Sequence, residues 1–410
     1  MLKERMVGLA IAAAAAWGSG CSSSDEPAAK PVEAPKVSAI KFVSQEKPPT
    51  AALHDSWKGI PIGEPAEKGL KWLVSVQGKD GGWGQDAGNE ADARKDVSLE
   101  SSGNDLANTS LVCLAFLRSG STLKDGPYRE ALQKGVNFVL ANIEQAPADG
   151  LSVTKRQGTQ IQRKLGPFID TFLSTMLLSE VDGRMADEAS QKRARAGLEK
   201  CIAKVEKNQL KDGSWNHGGG WAPVIGTSIA SRSLYNAQQK GVPVDAACLL
   251  SVERYTRDNF DAGKKQFRGE AAAGVELYAA AQALEQSSRP AASPAPADAK
   301  PAEIALRQTA DAEKASIRTA ATEKLGAANF VAGFGSMGGE EFVSYLNISD
   351  SLLRSGGKEW GDWNGKIKER LVKLQNQDGT WAGHHCITGR VACTSAAVMT
   401  LLTERTVPKM

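Results

Sequence analysis

Histidine is nearly missing from this chain: 410 residues hold four, His54, His217, His384 and His385. Imidazole chemistry near neutral pH therefore has few places to sit. An excess of one charge is missing too. Fifty Lys and Arg face 47 Asp and Glu, giving a net charge of +3. The basic residues are interleaved with acidic ones and form no long block, which argues against a nucleic-acid binder. Cysteine is sparse, at six residues. The apolar run near the N-terminus, Val7 to Ala16, is too short to span a bilayer.

What is present is repetition. The phrase Q-x-x-D-G-x-W occurs three times, from Gln77 to Trp83, from Gln209 to Trp215 and from Gln375 to Trp381. Self-similarity of this kind marks a repeat architecture. An amphipathic stretch leads into the first and third copies, Glu67 to Gln77 and Ile367 to Gln375. Asp-Gly then stops the helix, because glycine accepts the left-handed conformation of a C-terminal cap. A small, apolar stretch follows each copy, around Thr109-Ser110, Thr227-Ser228 and Thr394-Ser395, and suits a crowded inner position. Each unit therefore reads as outer helix, turn, inner helix. The gaps between copies are too long for one hairpin. Worn repeats are expected at Tyr128–Val181, Val244–Gln286 and Glu323–Gly356.

The pattern resembles the QW repeat of the prenyltransferase and squalene–hopene cyclase superfamily, over roughly residues 60–410. The resemblance implies an all-α fold, an α/α toroid in which inner helices surround a central cavity. It also implies that Gln77, Trp83, Gln209, Trp215, Gln375 and Trp381 are structural. The glutamine would reach orphan backbone groups at a helix end and the indole would cover it. The family's catalytic motifs are not there. The chain has no Asp-x-Asp-Asp run for protonating a polyene, no Asp-rich magnesium motif and no complement-type Cys-Gly-Glu-Gln. It also lacks the Asp-x-Cys with a distant His that holds zinc in protein prenyltransferase β subunits. Scaffold and function are separable.

Residues 1–20 read as a signal peptide, with Lys3 and Arg5 before the apolar run. Gly18-Ser19-Gly20-Cys21 resembles a bacterial lipoprotein signal, which makes Cys21 the expected lipidation site. The alternative is an ordinary secretory signal with an incidental cysteine. Residues 21–59 read as a Pro-rich tether. Residues 60–410 are the toroid, with a low-complexity insertion at about 287–302 carrying Pro290, Pro294, Pro296 and Pro301. A helix is expected over Ile304–Leu325 from its Ala/Glu content.

Cys113, Cys201 and Cys248 lie in apolar stretches and read as buried small hydrophobes. Cys386 and Cys393 are expected to form a disulfide after export, with two reduced thiols as the alternative. The segment Gly383 to Arg390 is the least generic of the chain. His217, His384 and His385 follow a repeat tryptophan and can line one mouth of the toroid. Arg390 can hold a carboxylate, and Asp170 is an acid in an apolar helix. Hydrogen-bonded loop residues are the plainer alternative for the histidines, and helix capping for Asp170. Three successive side chains of a tight turn rarely converge, so no metal site is expected, and no cofactor. Trp57, Trp221, Trp360 and Trp363 stand outside the repeat positions and can stack a sugar or an isoprenoid. The functional expectation is an envelope-anchored binding or scaffold protein, held to a membrane by a lipid and meeting an unidentified ligand or partner. The alternative is an enzyme working in the toroid cavity. Polysaccharide lyase-like chemistry would take His384 or His385 as base and Arg390 as charge neutraliser; isoprenoid processing is the other form.

Overall fold

Glu64 and Glu67 sit in the first turn of a helix that starts with Pro65, where acids favour the positive helix end and proline lacks only an N–H that would be orphaned anyway. This is α1, Glu64–Ser75. The computed structural model describes residues 60–85, 103–289, 301–333 and 337–405. The helices that follow are α2 (Leu106–Ser119), α3 (Arg129–Gln145), α4 (Gln160–Leu165), α5 (Ile169–Val181), α6 (Glu188–Lys207), α7 (Pro223–Gln239) and α8 (Ala246–Asp258). Then come α9 (Glu276–Ser287), α10 (Pro301–Lys324), α11 (Ala328–Val331), α12 (Gly339–Ser355), α13 (Lys358–Leu374) and α14 (Arg390–Leu401). Extended structure among the described residues amounts to two antiparallel ladders of two residues per strand and one isolated parallel bridge.

Six helices, α2, α5, α7, α9, α12 and α14, pack side by side in that order, and α14 returns to α2. They are buried almost all round: in α2 and α5 twelve residues each are inaccessible. The outer helices bury one face only. In α13 that face is Trp363, Ile367 and Leu371. Each outer helix lies on the inner helix of the hairpin before it: α3 on α2, α6 on α5, α10 on α9, and α1 on α14. The fold is an all-α α/α toroid of six hairpins. It belongs to one unit, Lys47–Met410.

The repeated phrase is the joint of this ring. Gly81, Gly213 and Gly379 have φ of +89°, +93° and +87°. A Cβ at Gly213 would stand 2.1 Å from the Ser251 carbonyl, so no other residue fits there. Gln77 Nε2 donates to Gly81 O at 2.8 Å and to Ala131 O, in the next outer helix, at 2.9 Å. Gln209 bridges Gly213 O and Cys248 O. Gln375 bridges Gly379 O and Pro65 O, and so ties the last hairpin to the first. The amides of Trp83, Trp215 and Trp381 donate to the hydroxyls of Thr109, Thr227 and Thr394 on the inner helices.

Three expectations shift. The outer helix of the fifth hairpin is α10, earlier than the worn repeat Glu323–Gly356 suggested. Good helix formers run through the whole stretch, and Ile317, Ala320 and Ala321 are buried. Trp363 is not free to stack a ligand: it is 4% exposed and its Nε1 donates to Ser349 at 2.8 Å. Cys386 and Cys393 are not joined to each other: Cys393 Sγ donates to the Ile387 carbonyl at 3.7 Å, so the expected disulfide is not formed. The leader of residues 1–20, Cys21, the tether 21–59 with His54 and Trp57, and residues 290–300 of the insertion lie outside the described residues. No described helix is long and apolar enough to cross a membrane.

Candidate functional site

Because every hairpin runs outer helix first, the six inner helices point the same way. Their N-termini gather at one mouth of the ring, and acids gather with them. Asp105 caps α2, Asp170 is in the first turn of α5, Glu276 opens α9, and Glu340 and Glu341 open α12. Unpaired N–H groups and the helix dipole favour negative charge there.

Asp105 and Asp170 each accept a backbone N–H. Asp105 accepts from Asn108 N at 2.8 Å. Asp170 accepts from Ala107 N at 3.1 Å and from Gln162 Nε2 at 2.7 Å, which joins the first turns of α2 and α5. Burial raises the pKa of both acids, and the charge of Asp170 adds to the rise at Asp105. Asp170 thus bonds the first turn of α2 and does not cap its own helix.

The short helix α4 lies across the mouth. Gln160 accepts from Thr388 N and Gly389 N, ahead of α14. Trp221 N and Ala222 N, ahead of α7, donate to Arg163 O and Lys164 O. Gln162 reaches Asp170 on α5. A Cβ on Gly226 would come within 2.2 Å of Leu165 O, so the backbones of α4 and α7 touch.

Beside α4, the start of α12 meets the loop before α14. Gly338 and His385 form a parallel bridge, Gly339 N donates to Ile387 O at 2.8 Å, and His384 N donates to Met337 O at 2.6 Å. Glu341 is fully buried and accepts from Tyr278 Oη at 2.5 Å and from Gly338 N at 2.9 Å. His385 Nε2 lies 3.6 Å from Glu341 Oε2. Glu340 is also fully buried, and its Oε2 accepts from Ile387 N at 3.2 Å. Burial, with the Glu341 charge adding, pushes the Glu340 carboxyl up to about 7. Burial and the Glu340 carboxylate push the Cys386 thiol up to about 11, against the pull of Lys164.

The sequence candidates do not converge on one pocket. His217 Nε2 donates to Asn208 O at 2.7 Å and meets the Phe168 ring edge-on. It lines an open cavity of about 460 Å³ with Asn142, Asp149, Thr154, Gln157 and Phe168. A neighbouring cavity of about 490 Å³ shares Asn142, Thr154 and Gln157 with it and extends to Arg156 and Asp105. His385 belongs instead to the Glu340–Glu341 cluster, and His384 is exposed. Arg390 bonds Asp378 at 3.1 Å and stacks over the Trp72 ring, so it is not presented as the charge-neutralising partner of His384 or His385.

Two groups escaped the sequence reading. One is the Glu340–Glu341 pair with Tyr278. Its signal was two adjacent acids behind Gly338-Gly339 at the head of an apolar stretch. The other is a charged plug inside the ring. Arg118 of α2 pairs with Asp350 of α12 at 3.0 Å, and Arg232 of α7 pairs with the same carboxylate. These are alternate members of the six, so the bridge crosses the ring. Glu285 of α9 receives Arg289 and Arg354 at the same depth. The signal was the lone charge of α2 and of α7, Arg118 and Arg232, in helices otherwise without charge.

No protein-family model matches the chain, and no curated protein does. Solved structures do. An inactive variant of an α-1,6-mannanase of a Salegentibacter species, in complex with α-1,6-mannotriose, matches with a TM-score of 0.55 at 8% identity, covering 84% of this chain and 99% of that one. A type II terpene cyclase from Scytonema, in complex with merosterolic acid A, matches with a TM-score of 0.30 at 13% identity, over 83% and 96%. The mannanase likeness is one of fold, and the fold shared is the α/α toroid.

Proposed function

We propose that this chain is a binding protein of the bacterial cell envelope that takes a hydroxyl-rich ligand, an oligosaccharide, beside the mouth of its toroid. The observation that carries the reading is the plug. Arg118, Asp350 and Arg232 bridge the ring in the C-terminal halves of its inner helices, and their charge fills space that an isoprenoid would need apolar. The open space lies at the surface instead, in the joined cavities walled by Asn142, Thr154, Gln157, Asp149 and His217. Carboxamides and hydroxyls are donors and acceptors at once, which suits sugar hydroxyls, and Phe168 offers a ring to a sugar face. The mannotriose bound by the mannanase of like fold makes α-mannan the first ligand to try.

The test is calorimetry with manno-oligosaccharides, alongside incubation with squalene and with isoprenoid diphosphates. Binding that falls at least tenfold in Asn142→Ala and His217→Ala, with no terpenoid product, is the expected outcome. A cyclised product, or glycan binding indifferent to both replacements, defeats the proposal.

A second reading is cleavage of that glycan. Asp105 lines the joined cavities and burial raises its pKa, as a general acid requires. New reducing ends released by the wild type and lost in Asp105→Asn would favour cleavage over binding alone.

The envelope address rests on the sequence of the first sixty residues. Mass spectrometry of the mature N-terminus checks it: diacylated or triacylated Cys21 is expected, and an unmodified Cys21 or cleavage elsewhere removes the anchor.

A further inference from the structure

Glu340, His385 and Cys386 bring a carboxylate, an imidazole and a thiol to one point. Their ligand atoms all lie within 4.8 Å of one another. A tetrahedral zinc ion holds such donors at about 2.0–2.3 Å, which spaces them about 3.5 Å apart. Small side-chain rotations cover the difference.

Two features of the backbone make the convergence possible. Neighbouring side chains of a turn ordinarily diverge, yet Cys386 has φ of +55°, a left-handed conformation that non-glycine residues seldom adopt. That twist turns the thiol to the side of its neighbour. The parallel bridge between Gly338 and His385 then sets the loop against the head of α12, from which Glu340 projects. Strained residues of this kind cluster at functional sites.

An independent observation points to a missing ligand. Glu340 is 0% exposed, its Oε2 is used by the amide of Ile387, and its Oε1 is buried with no hydrogen-bond partner. Buried carboxylate oxygens are paired as a rule, and a cation is one of the groups that pair them. Glu341 completes the surroundings, 3.6 Å from His385 and anchored by Tyr278. A bound His whose ring faces a carboxylate is the usual outer-shell arrangement of a metal site.

We propose that Glu340, His385 and Cys386 form a binding site for a borderline-soft divalent cation, with zinc preferred. The donor set excludes calcium and magnesium, which take oxygen ligands, while one thiolate and one imidazole suit zinc. Three protein ligands leave a fourth position open to water. The arrangement differs from the Asp-x-Cys and distant His that this chain lacks, since here His and Cys are adjacent in one loop and the carboxylate heads the preceding inner helix. The site is separate from the glycan groove and stands or falls without it.

The experiment titrates cobalt and then zinc into the metal-stripped protein, prepared without reductant. Cobalt should bind at one equivalent and give the near-ultraviolet charge-transfer absorption of a thiolate–cobalt bond. Zinc should displace it and raise the melting temperature. Cys386→Ser should abolish the absorption and weaken zinc at least 100-fold, and Glu340→Gln should weaken it at least tenfold. His384→Ala, next in sequence but exposed, should bind as the wild type does. Circular dichroism separates lost binding from lost fold. The proposal is overturned if the wild type shows no charge-transfer absorption, if folded Cys386→Ser and Glu340→Gln bind zinc like the wild type, or if peptide mapping finds Cys386 joined to Cys393.

Discussion

The indole Nε1 of Trp381 donates to the carbonyl of Leu371, ten residues earlier, at 2.7 Å. Trp83 makes the same step to Leu73, and Trp215 to Val205. In each case the carbonyl lies in the last turn of the outer helix, where no later amide can reach it. One side chain therefore seals a helix end and fills the space between two helices. Trp381→Phe keeps most of the packing and loses the bond, and should cost about 1–2 kcal/mol. Trp381→Ala should cost about 3–5 kcal/mol. Urea unfolding of both variants measures the difference. Equal losses would mean that the bond, not the packing, sets the role of the tryptophan.

Gln375 differs from its two equivalents in what it joins. Gln77 and Gln209 link successive hairpins, whereas Gln375 links the last to the first through Pro65 O. Gln375→Ala should lower stability by about 1–3 kcal/mol, since it strips two carbonyls of their donor. Hydrogen exchange should quicken in α1 and α14 more than in α3 or α8. Uniform exchange around the ring would contradict a closing role.

The plug predicts a pH dependence. Burial alone would raise the pKa of Asp350, but the charges of Arg118 and Arg232 prevail and hold it below the ordinary value. A depressed carboxylate adds stability above its unfolded pKa, and that stability is lost as pH falls through the folded pKa. Asp350→Asn leaves two buried guanidinium groups short of a counter-charge, and should destabilise by about 3–5 kcal/mol at pH 7. The gap between variant and wild type should narrow steadily below about pH 4. Denaturant melts from pH 3 to pH 8 check this. A gap that stays constant with pH would show that the carboxylate charge is not what the arginines need.

Gly226 carries the contact of α4 with α7. A methyl group there would lie 2.2 Å from Leu165 O, a backbone atom that cannot swing away. Gly226→Ala should cost about 1–3 kcal/mol and unseat α4. Faster amide exchange at residues 160–165, with the rest of the ring protected, is the expected signature. A variant as stable as the wild type would mean that α4 rests on the mouth without gripping it.

The toroid was legible because its joints are local. Gln375 has one of its two bonds four residues away, to Gly379 O, and the Trp381 indole bonds ten residues back, to Leu371 O, so they leave a fixed spacing in the sequence. The small-residue helices around Thr109, Thr227 and Thr394 were legible for the same reason. The mouth was not. Glu340 and Cys386 are brought together by a two-residue bridge between distant segments, and neither stands at a repeat position. Arg390 misled for the converse reason. It sits in the least generic segment, yet its guanidinium serves the repeat turn through Asp378. The buried charges of Arg118, Arg232 and Asp350 each look like a flaw in an apolar helix until the ring is closed and they meet.

That closure also bears on chain order. Arg405, after the last helix, donates to the carbonyls of Ile60 and Ser119, so the two ends of the ring-forming chain stand together. Sequence order is then only one way of reading the circle. A permuted protein, opened between Ser287 and Pro301 and joined by a short linker from residue 405 to residue 60, should refold into the same ring. Removing one hairpin should not shorten the ring to five, as trimming shortens an open solenoid, because every inner helix has a fixed partner on both sides.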